Sequence, residues 1–104
     1  MANAHRGEIA AELSGRTYVL CLTLGALAEL EHAYGGEDLI AIAQRFEAGK
    51  IGATDAIRVI GAGLRGGGNA IGDDEVAGMT ADGGAQGFLT IVVRLLRATF
   101  AGAP

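Results

Sequence analysis

One cysteine, one proline, one serine and no tryptophan occur in 104 residues, and cations are outnumbered, eight Lys and Arg against twelve Asp and Glu. A lone Cys21 excludes an intramolecular disulfide framework and suits a reducing interior, where a thiol inside Tyr18-Val19-Leu20-Cys21-Leu22 reads as a buried structural group. With Ser14 the only serine, no G-x-S-x-G nucleophile elbow exists. Two histidines, His5 and His32, lie far from each other and from Cys21, so no zinc-ligand spacing appears. The formal charge of −4, with seven arginines and Lys50 scattered along the chain, argues against binding a phosphate backbone, which needs clustered cations. The longest charge-free apolar stretch, residues 17–28, falls short of the roughly 20 residues that cross a bilayer. The first residues lack the apolar core of a secretion signal. A cytoplasmic protein without nucleic-acid, membrane, metal or cofactor binding is expected, and an enzyme is disfavoured.

Half of the residues are apolar and 18 are glycine. The length fits one domain, residues 1–104, because two cores this small would each sit near the limit of independent folding. Glycine at more than twice its ordinary usage of roughly 7% implies short elements with frequent stops. Residues 7–22 read as a β-hairpin. The run Glu8-Ile9-Ala10-Ala11-Glu12-Leu13 alternates, Ser14-Gly15 can form a two-residue turn, and Thr17 to Leu22 is rich in strand formers.

Helical periodicity takes over after Thr23, a candidate N-cap. A first helix from Leu24 places Leu24, Leu27, Leu30 and Tyr34 on one face and stops at Gly35-Gly36. The second, about Glu37 to Ala48, groups Leu39, Ile42, Ala43 and Phe46, with Glu37 and Asp38 in its first turn. The third, about Ala53 to Leu64, carries Ala56, Ile57, Ile60 and Leu64, and Gly66-Gly67-Gly68-Asn69 follows as a hinge or loop. Asp73 can cap a short helix through Met79. The last helix, about Ala85 to Phe100, is the most hydrophobic, its large apolar side chains spanning about 200° of arc. Such a helix either organises the core or offers a second stripe to a partner, and the central role is preferred. The predicted fold is α+β, an N-terminal hairpin packed against about four to five helices.

Three patterns mimic chemistry. Gly61-Ala62-Gly63-Leu64-Arg65-Gly66 spells G-x-G-x-x-G, but a dinucleotide site needs those glycines to open a helix between parallel strands. Here more glycine follows, and too little chain remains for the sheet, so close helix packing at Gly61 and Gly63 is the simpler reading. The second and third helices could imitate a helix-turn-helix, yet only Arg58 and Arg65 are available to DNA, beside Asp55. Asp73-Asp74-Glu75 lacks the alternating ligands of a calcium loop and reads as a helix N-terminus.

Gly7-Glu8 through Gly15-Arg16, then Leu22-Thr23-Leu24-Gly25-Ala26-Leu27-Ala28-Glu29-Leu30-Glu31, resemble the opening of the small tail protein of gene transfer agents, the phage-like particles of alphaproteobacteria. Val59 to Gly68, Asp74-Glu75-Val76 and the run into the apolar last helix extend the resemblance over nearly the whole chain. Gly52 departs from it, standing where a serine-like cap is expected. The resemblance implies a non-catalytic phage tail assembly chaperone, of a gene transfer agent or a prophage, that binds the tape-measure protein while tail-tube subunits polymerise. The alternative it implies is a structural tail-tube component built into the particle. For the partner surface the stripe Leu89, Val93, Leu96 and Phe100 is the candidate, with Phe88, Val92 and Leu95 facing the core, or both stripes buried.

Overall fold

The structure, a computed structural model, describes residues 2–100. A single 3-10 turn at Ala4–Arg6 leads into strand β1 (Glu8–Leu13), which pairs antiparallel with β2 (Arg16–Cys21). Ser14 and Gly15 reverse the chain with φ of 52° and 77°. Two successive positive φ angles give the turn whose twist matches paired strands, and glycine takes one of them without steric cost. Alternation sets the faces: Ile9, Ala11 and Leu13 are buried while Ala10 and Glu12 are exposed.

Five helices follow: α1 (Leu24–Ala33), α2 (Leu39–Glu47), α3 (Ala53–Gly66), α4 (Asp73–Ala77) and α5 (Gly84–Phe100). The expected α+β hairpin and bundle is the fold observed. Thr23 caps α1, its hydroxyl accepting from the Ala26 N–H at 3.2 Å. Asp38 caps α2 by accepting from Ile40 N–H at 2.9 Å. Glu37 and Asp38 therefore precede α2 rather than occupy its first turn. Gly52 has no side chain to cap α3, and Asp55 compensates by reaching back to the Gly52 N–H at 2.9 Å. This is one half of a capping box.

Two expectations about packing change. Leu24 is 84% exposed, although helical spacing groups it with Leu27 and Leu30. At 100° per residue it stands about 120° round the helix from Leu30, beyond the arc that meets the core. The central helix is α3, not α5. Every residue from Val59 to Leu64 is buried, and α3 packs against β2, α1, α4 and α5. Small residues at Gly61, Ala62 and Gly63 let neighbours approach from several sides. The bulkier α5 buries one arc, Ile91, Val92, Leu95 and Leu96.

The glycine run after α3 is a packed junction rather than a hinge. The helix continues through Gly66. A Cβ on Gly66 would overlap the Cys21 carbonyl, and one on Gly67 would overlap that of Val19. Asn69 fastens the turn by donating its side-chain amide to Val19 O at 3.0 Å and Leu64 O at 3.1 Å.

Candidate interaction surface

The G-x-G-x-x-G string lies within α3, not at a helix start, and each glycine in it answers a close approach. Gly61 leaves room for the Asp73 carboxylate, and Gly63 for Leu95 and Leu20. With that room, Arg65 ties three helices together: it donates to Asp73 at 3.0 Å, to the Ile71 carbonyl at 2.9 Å, and pairs with Glu29. The bond to Glu29 foremost raises the Arg65 pKa above its ordinary value. Asp73 thus serves this knot, and α4 starts from Gly72 without a side-chain cap.

Other reactive types are spent on structure. The Cys21 thiol is buried and donates to the Arg6 carbonyl at 3.4 Å. Burial first, then the Glu8 charge, pushes its pKa upward, away from the thiolate that nucleophilic chemistry requires. Ser14 sits in the turn, where its hydroxyl accepts from Thr80 N–H at 3.1 Å. Tyr34 donates to Asp55 at 2.5 Å and lies under the Arg58 guanidinium, 5.2 Å from the ring centre. Burial, then the bond to Asp55, raises the Tyr34 pKa. Among the described residues no three His, Cys, Asp or Glu side chains gather where one cation could be held. No described helix is long and apolar enough to cross a membrane.

What the surface offers is apolar concavity along α5. A hollow of about 320 Å³ opens between α3, α4 and the first half of α5, lined by Ile51, Ile57, Ile60, Val76, Met79, Phe88 and Leu89. A second, about 360 Å³, lies between α2 and the last turns of α5, with Ile40, Ala43, Leu96 and Phe100 on its walls. The Arg97–Glu47 ion pair, 3.0 Å, borders it. Ile40 is 56% and Phe100 38% exposed.

The four candidate residues are divided between these hollows. Leu89 lines the first; Leu96 and Phe100 line the second; Val93 is half-buried. They do not form one open stripe, because Leu96 is 5% exposed and belongs to the core. Val92 and Leu95 face inward as expected, and Phe88 only partly so. Sequence reasoning missed Ile51 and Met79, which come from connections with no periodicity to expose them. Ile40 did carry a signal: it stands about 120° from Phe46 on α2, an apolar residue off the buried arc.

Residues 6–102 match the model of a family described as phage tail tube protein, GTA-gp10. The chain belongs to that family. Its membership places it among the tail proteins of gene transfer agents and phages, in agreement with the resemblance carried by the hairpin and the first and third helices. The description names a tube protein and so favours the structural alternative over the assembly chaperone. Among curated proteins and among solved structures nothing matches the chain.

Proposed function

We propose that this protein is a non-catalytic structural component of a phage-like tail, built into the particle beside other tail subunits. The observation that carries the reading is the family match across residues 6–102. The distribution of apolar surface supports it. Leu89 in one hollow and Ile40 with Phe100 in the other give a neighbouring subunit two anchoring points along one helix. Buried apolar anchors dominate the energetics of such contacts, with the surrounding polar rim adding little. An acidic balance keeps the free subunit soluble before it assembles.

Sedimentation of particles through a density gradient tests this. A structural subunit bands with intact particles and stays with them through a high-salt wash. A protein confined to the soluble fractions, recovered with the tape-measure protein instead, would overturn the reading in favour of assembly assistance.

A further inference from the structure

The two edges of the hairpin are treated differently. Hydrogen-bonded pairing across the tight turn points the backbone groups of Ile9, Ala11 and Leu13 at β2, which leaves those of Glu8, Ala10 and Glu12 facing outward. On the β2 side the Val19 and Cys21 carbonyls are covered by the end of α3 and by Asn69. On the β1 side both ends are tied. Glu8 N–H donates to Asn3 O at 3.1 Å and Ser14 N–H to Thr80 O at 2.8 Å. Between them, Ala10 N–H, Glu12 N–H and the Glu12 carbonyl have no protein partner among the described residues, while Arg94 donates to the Ala10 carbonyl at 2.9 Å. Alongside runs a groove of about 500 Å³, lined by Ala10, Glu12, Asp82, Gln86, Thr90 and Arg94 among others.

We propose that this edge of β1 receives an extended segment of a partner protein as a third strand, and that the segment carries a basic residue opposite Glu12. Charge selects the occupant. Glu8 is already held by Arg6 at 3.8 Å and by the Asn3 N–H at 2.8 Å, whereas Glu12 is exposed, so an added strand beside Ala10 and Glu12 sets one of its own residues opposite an open carboxylate. Opposite charges across strands stabilise and like charges destabilise. A second copy of the chain, paired about a two-fold axis at Ala10, would drive the Asn3 segment that covers the edge at Glu8 against Glu12 twice and is disfavoured. Glu12 and Asp82 make no ion pair among the described residues, and Arg94, the one cation lining the groove, is turned onto the backbone. The Ala10 carbonyl keeps a second lone pair for an incoming N–H, and Arg94 keeps donors for an incoming carbonyl. Main-chain bonds supply affinity in this mode and the alternating side chains supply selectivity. The site is separate from the hollows along α5, so its test stands apart from that of particle incorporation.

The test titrates the full chain with the acetylated, amidated heptapeptide Thr-Lys-Val-Thr-Val-Lys-Thr, following backbone amide shifts and hydrogen exchange. Saturation should slow exchange at Ala10 and Glu12 about tenfold or more, as for amides drawn into a ladder, and leave those of β2 unchanged. Glu12→Lys should weaken binding about fivefold, and the same peptide with one of its lysines replaced by glutamate, so that opposite charges meet at position 12, should regain it. Amide spectra report whether each variant is folded. No protection at Ala10 and Glu12 with millimolar peptide, peptide shifts centred on the α5 hollows, or dimerisation through β1 without peptide would each overturn the proposal.

Discussion

Tyr34 illustrates how one side chain couples distant parts of the chain. Its hydroxyl on Asp55 joins the end of α1 to the start of α3, and the same carboxylate caps α3 through Gly52. Tyr34→Phe removes that bond and should cost about 1 kcal/mol in chemical denaturation. Because the folded pKa is raised, the phenol's contribution is complete below the unfolded value near 10 and declines as pH rises above it. Wild-type stability should therefore fall in that alkaline range more steeply than that of Tyr34→Phe. The glycines at the end of α3 are equally specific. Gly66→Ala and Gly67→Ala press a methyl into backbone carbonyls and should destabilise by about 3 kcal/mol or prevent folding. Gly72→Ala, where the space is open, should not. Thermal melts of the three variants distinguish a packed junction from a hinge, since a hinge would tolerate all three alike.

Among the elements, α5 divides its labour along its length. Leu96→Asp buries a carboxylate within the core and should cost about 3 kcal/mol or unfold the chain, visible by circular dichroism. Ile40→Asp, on an exposed wall of the same hollow, should stay within about 0.5 kcal/mol of wild type yet reduce incorporation into particles. The sequence disclosed element identity well because local signals were strong. Ser14-Gly15 marked the turn, Thr23 the cap, and the spacing of Ile42, Ala43 and Phe46 the buried face of α2. The hierarchy of helices was not legible. Hydrophobicity pointed to α5 as the centre, but centrality was decided by small residues in α3, whose value lies in what approaches them from β2, α4 and α5. The same reason hid the role of Gly66 and Gly67: their partners are backbone carbonyls about 45 residues away in sequence. The Leu89–Phe100 stripe failed as a continuous surface because helical phase alone does not reveal that α2 covers Leu96.

For the whole molecule, the two kinds of surface have different characters. The hollows along α5 are apolar and suit side-chain anchoring by a neighbouring subunit; the β1 edge is polar, acidic and suited to backbone pairing. A small domain with an open strand edge and two apolar depressions has ample means of contact for a part held inside an assembly. Family membership and this surface together support the central claim that the chain is a tail component. The most direct measurement is absolute quantification of the protein in purified, salt-washed particles by mass spectrometry with isotope-labelled standard peptides. The account predicts a fixed, multiple copy number per particle, in constant proportion to other tail proteins across preparations. Particles complete and active with the protein absent, or present only in traces that vary between preparations, would contradict it.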